Sequence, residues 1–101
     1  MHAAVDITEQ SQIEAELRNL VHGFRSHVVS ISFDFGRDWS GDAAIFFHVV
    51  LADSSTRGVM LGRVTAEVRK RLTEMLRRLN LRLIGYSDFR SESELLQFKR
   101  S

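Results

Sequence analysis

Apolar residues recur at Ile13, Leu17, Leu20, Val21 and Phe24, at spacings of 4, 3, 1 and 3. That rhythm lines one face of a helix and predicts one over residues 7–24. Asp6 followed by Glu9 gives it a capping-box-like start, with Asp in the serine position. From His27 to Phe35 the period changes to two. Val29, Ile31, Phe33 and Phe35 fall on one side, and Val28, Ser30, Ser32 and Asp34 on the other. This is the pattern of a half-buried strand. Residues 36–42 are rich in Gly, Asp and Ser and read as the turn of a hairpin. Residues 43–51 follow as a second strand. One of its faces carries Ile45, Phe47, Val49 and Leu51, the other Ala44, Phe46, His48 and Val50. Apolarity on both faces predicts a central or covered strand.

Leu61, Val64, Val68, Leu72, Met75, Leu76 and Leu79 then form a long helical stripe, which predicts a second helix over residues 56–79. Residues 53–56 offer caps before it, and Asn80 suits a left-handed stop after it. Residues 81–89 read as a third strand interrupted by Gly85. The tail from Arg90 either frays or forms a short helix capped by Ser91 or Ser93, with Leu95, Leu96 and Phe98 as its apolar positions.

The order α-β-β-α-β predicts an α+β fold: one domain over residues 1–101, a three-stranded mixed sheet with helices packed on it. A right-handed crossover through the second helix makes strands two and three parallel if they are neighbours. The apolar second strand favours the order 1-2-3 over 2-1-3. With both helices on one face, Phe46, Val50, Ile84 and Tyr86 lie on the other, and an exposed patch of that kind marks an interface. Pairing two such faces in a homodimer would cover it. The alternative places one helix on each face.

Composition narrows the function classes. The 101 residues contain no Cys and no Pro. Disulfides, thiolate nucleophiles and Cys-based zinc sites are therefore excluded, and the chain fits a reducing cytoplasm. The start lacks the basic and long apolar segments of a signal peptide. Net charge is +1, but it is unevenly spread. Residues 57–82 hold eight basic and two acidic residues, or +6, and the remainder holds six basic and eleven acidic, or −5. Arg63, Lys70 and Arg77 repeat every seven residues, and Arg71 and Arg78 extend the same side. Such a stripe suits phosphates and predicts salt-sensitive binding. It equally suits a solvated helix face, because Glu67 and Glu74 precede Arg71 and Arg78 by four residues.

Candidate chemistry is sparse. Asp34, Asp38 and Asp42 surround the hairpin, but their spacing does not match a calcium loop, and turn chemistry accounts for Asp38 and Asp42. No two histidines stand at a metal-ligand spacing, so no metal site is expected. His48 is the one candidate general base, and an enzyme reading requires a concave site around His48 and Asp34. No Walker loop or GxGxxG turn is present, and no cofactor is expected. Trp39 at the hairpin tip is either a binding anchor or folded onto the sheet.

Residues 28–35, Asp38 and residues 43–50 together resemble the strand pair of ribosome-binding factor A. The layout of residues 71–83 and 86–89 is also similar. The resemblance covers residues 12–92 and implies a type II KH-like fold that binds ribosomal RNA. The GxxG loop of ordinary KH domains is absent, and Gly62 stands too early to supply that family's helix kink. The leading expectation is a non-catalytic protein-interaction module, homodimeric, with Trp39, Phe46, Val50, Ile84 and Tyr86 as its partner surface. RNA binding through Arg63, Lys70, Arg71, Arg77 and Arg78 is the first alternative, and a small enzyme with a site near His48 is the second.

Overall fold

The structure, a computed structural model, describes residues 7–100, with side chains to residue 96. Its elements are α1 (Ile7–Gly23), β1 (Val28–Arg37), β2 (Ala43–Leu51), a short 3-10 turn (Asp53–Ser55), α2 (Gly58–Arg78), β3 (Ile84–Ser91) and α3 (Glu92–Arg100). The sheet has three strands in the order β1-β2-β3. β1 and β2 are antiparallel and β2 and β3 parallel, so the fold is α+β with a mixed sheet.

The two-residue period of β2 explains where the core lies. Ile45, Phe47, Val49 and Leu51 point to one side and are buried. Ile13 and Leu17 of α1 pack on them together with Val64, Val68, Leu72, Met75 and Leu76 of α2. Both helices therefore cover the same face. α2 approaches closely enough that a Cβ at Gly85 would stand 2.8 Å from Leu76 Cδ1 and 3.7 Å from the Phe47 ring. Glycine at this point of β3 is what lets helix and sheet meet.

Helix ends follow local chemistry. Asn80 takes a positive φ of 57°. The Leu81 amide then donates to the Leu76 carbonyl at 3.0 Å, and the Asn80 amide to Arg77 at 3.0 Å. That pair of hydrogen bonds is a Schellman stop, and it turns Leu81 back against the core. α3 has a capping box. The Ser91 amide donates to Glu94 Oε1 at 3.0 Å, and the Glu94 amide to Ser91 Oγ at 3.1 Å. The tail is thus helical, and Ser91 rather than Ser93 is its cap.

Several boundaries differ from the sequence expectation. α2 starts at Gly58 behind an extended Arg57 with no side-chain cap. Asp53 instead serves α3, accepting from the Ser93 amide and hydroxyl at 3.1 and 2.8 Å. β3 starts at Ile84, where its pairing with β2 begins at Ala44; the Schellman stop takes Asn80 and Leu81. In β1 the alternation is broken near its start. The pairing jumps from Val28↔Leu51 to Ser30↔Val50, leaving Val29 bulged. Val28 is consequently buried and Val29 is 45% exposed, the reverse of simple alternation. The expected cap at Asp6 and the position of Phe98 lie outside the described residues and side chains.

Candidate interaction face

The side of the sheet away from α1 and α2 carries Ser32 and Asp34 from β1, Phe46, His48 and Val50 from β2, and Ile84, Tyr86 and Asp88 from β3. Register fixes their order. Phe46 pairs with Asp34 on one side and Tyr86 on the other, while His48 pairs with Ser32 and Asp88. Phe46 and Tyr86 stack with ring centroids 5.5 Å apart and an interplanar angle of 17°. Trp39 meets Tyr86 edge-on at 5.9 Å.

Trp39 reaches this face because the hairpin turn is built around Asp38. Asp38 Oδ1 accepts from the Ser40 amide at 3.0 Å, the Ser40 hydroxyl at 2.7 Å and the Asp42 amide at 3.0 Å. Its other oxygen accepts the Tyr86 hydroxyl at 2.9 Å, linking the turn to β3. The Ser40 hydroxyl bond, with Tyr86 and the two amides adding to it, holds the Asp38 carboxyl below its ordinary pKa. Burial, then the Asp38 bond and charge, raise that of Tyr86. Trp39 is nevertheless 87% exposed. It is both an edge partner of the sheet aromatics and an open surface.

His48 lies between two carboxylates. Nε2 is 2.9 Å from Asp34 Oδ2, and Nδ1 is 3.1 Å from Asp88 Oδ2. The trio spans all three strands. Partial burial lowers the imidazole pKa, but the hydrogen bonds and charges of Asp88 and Asp34 outweigh it and raise the net value. Each carboxylate oxygen needs an N–H, so the arrangement suits the imidazolium form, which has two donors and no lone pair. Together with the aromatics the trio borders an open depression of about 470 Å³.

The sequence-selected surface residues therefore divide. Trp39, Phe46 and Tyr86 form one cluster, whereas Val50 and the half-exposed Ile84 share the face beyond the depression. His48 and Asp34 do meet, as the enzyme reading required. Asp88 was missed, since it stands 40 residues from His48 in sequence and only the parallel register brings them together. Asp34, Asp38 and Asp42 do not converge as ligands; among the described residues no group of three or more His, Asp or Glu is arranged to hold a metal ion.

On the opposite side of the molecule, Arg63, Lys70, Arg71, Arg77 and Arg78 are exposed along α2. Arg71 pairs with Glu67 at 3.4 Å and sits 5.6 Å from the Phe24 ring centroid. Arg78 reaches Glu16 on α1 rather than the expected Glu74. No helix among the described residues is long and apolar enough to cross a membrane. No protein-family model, curated protein or solved structure matches this chain.

Proposed function

We propose that the chain is a non-catalytic protein-interaction module that works as a homodimer in the cytoplasm and uses its open sheet face to hold a protein partner. The observation that carries this reading is the gathering of Trp39, Phe46 and Tyr86 on the sheet face opposite the one that α1 and α2 cover. Large aromatic side chains with a polar rim are the usual anchors of such surfaces. The rim carries three carboxylates, Asp34, Asp38 and Asp88, against Arg37 and His48, an acidic excess of one when the imidazole is charged. The partner segment that fits is an aliphatic or aromatic anchor flanked by lysine or arginine. A phosphate backbone would meet carboxylates. His48 supports the non-catalytic reading, because both ring nitrogens face carboxylates and none remains to take a substrate proton.

RNA binding is the second reading, and α2 favours it. Arg63, Lys70 and Arg77 are exposed and form no ion pair among the described residues. Capture from native cell extract separates the two readings. A protein retained by the wild-type chain after nuclease treatment, and lost with Phe46→Glu or Tyr86→Glu, supports the sheet face. Binding that vanishes with nuclease, falls with salt and is weakened by Lys70→Glu or Arg77→Glu supports RNA.

A further inference from the structure

β1 is an edge strand, since β2 pairs with only one of its sides. It runs for ten residues. Natural edges are blunted by proline, lysine, outward charge or a bulge, and the bulge of β1 sits near its start, leaving residues 30–37 in regular register. β1 has neither proline nor lysine, and its two charged side chains are occupied elsewhere. Asp34 holds His48, and Arg37 donates to the Gly41 carbonyl at 2.7 Å. Val29, pushed outward by the bulge, adds an exposed apolar residue to this edge. Between the edge and α1 runs a groove of about 830 Å³. The groove between α2 and the β3 edge holds only about 280 Å³.

The wall of the larger groove is polarised. Along α1 it carries Glu14, then Arg18, with Arg25 just past the helix end. None of the three has an ion-pair partner among the described residues. The acid stands toward the N-terminal end and the base toward the C-terminal end. Two copies joined edge to edge by antiparallel β1 strands would also run their α1 helices antiparallel. Glu14 of each would then face the basic end of the other, twice over by symmetry. An arbitrary extended peptide offers β1 hydrogen bonds but no such helix beside it.

From this we infer that a second copy of the chain occupies the β1 edge, making a continuous six-stranded sheet about a two-fold axis. The inference rests on the homodimer part of the reading above but changes its surface. The face carrying Phe46 and Tyr86 stays free in both copies and lies on the same side of the joined sheet.

The full chain and its variants are compared by sedimentation equilibrium, with circular dichroism to confirm folding. A wild-type dimer is expected. Val29→Lys places a charge on the edge and abolishes it. Glu14→Arg or Arg25→Glu weakens it about tenfold, because two rim pairs turn repulsive. The double variant carrying both restores it, while Phe46→Glu leaves it intact. A monomeric wild-type chain overturns the homodimer reading as a whole. A dimer indifferent to the edge and helix variants, or broken by Phe46→Glu, overturns the edge assignment alone.

Discussion

His48 and Asp34 are joined across the β1–β2 pair by a 2.9 Å contact on the open face of the sheet. Asp88 holds the other imidazole nitrogen from β3. The cluster therefore ties all three strands on the face away from α1 and α2. Because the imidazole pKa is raised in the fold, the sign of its contribution is fixed. Its stabilisation is fully present below the unfolded imidazole value of about 6.5 and is lost as pH rises through the folded value. Urea denaturation of the wild type and His48→Gln, compared from mildly acid to mildly alkaline pH, should show the wild-type advantage shrinking upward through that window. An advantage independent of pH would mean that the imidazolium is not what holds the strands.

Gly85 marks the tightest contact between α2 and the sheet. A Cβ there would meet Leu76 Cδ1 at 2.8 Å, and Leu76 is itself buried. A β-branched side chain cannot be absorbed by a small movement of that methyl. Gly85→Val is expected to lower stability by about 1–3 kcal/mol through overpacking. Substitution of Gly62, which has open space around it, should be far milder. Equal effects at the two glycines in chemical denaturation would contradict this packing.

How much was legible in advance depended on whether the controlling contact was local. The stripe of α2 from Val64 to Leu76, the alternation of β2 and the stop at Asn80 are written in neighbouring residues and appeared as expected, whereas Leu61, the first residue of the expected stripe, is exposed. The bulge at Val29 was hidden because the sequence 27–35 alternates well in either phase near its start; the pairing with Leu51 decides that Val28 goes inward. The start of β3 was hidden in part by the Schellman stop, which takes Leu81, a residue that otherwise resembles strand. The candidate site was half visible. Phe46, Tyr86 and their common face followed from periodicity and topology. The link from His48 to Asp88 and that from Tyr86 to Asp38 depend on the three-dimensional register. Asp53 shows the same limit: placed beside α2, it bonds Ser93 of α3.

The capping box of α3 gives a local test of the chain's end. Ser91 is buried, and its hydroxyl accepts the Glu94 amide. Ser91→Ala should cost about 0.5–2 kcal/mol of helix stability, read as lost hydrogen-exchange protection over residues 94–97 with the sheet unaffected. The Ser91 amide and hydroxyl bonds lower the Glu94 pKa. The Glu94 contribution is therefore present above its unfolded value and lost as pH falls through the folded one. Ser91→Ala should blunt that acid sensitivity, and a variant with unchanged protection and pH response would refute the box.

Asp38 joins the hairpin turn to β3 through the Tyr86 hydroxyl, and the spectroscopy of this contact is unusually clean. The chain has one tyrosine and one tryptophan, and the two rings touch. Burial raises the Tyr86 pKa, and the Asp38 bond and charge raise it further. Asp38→Ala removes the second contribution and leaves part of the first. The tyrosinate absorbance should then titrate at lower pH than in the wild type. The same substitution takes three hydrogen bonds from the turn, so Trp39 should lose its fixed edge-on position and its near-ultraviolet dichroism should weaken. Phe46→Leu, which keeps Asp38 but removes the stacked ring, separates the two causes: it should leave the tryptophan signal largely in place. A tyrosine titration unmoved by Asp38→Ala would show that the carboxylate does not hold the phenol, and that the hairpin tip is not fastened to the sheet as the geometry indicates.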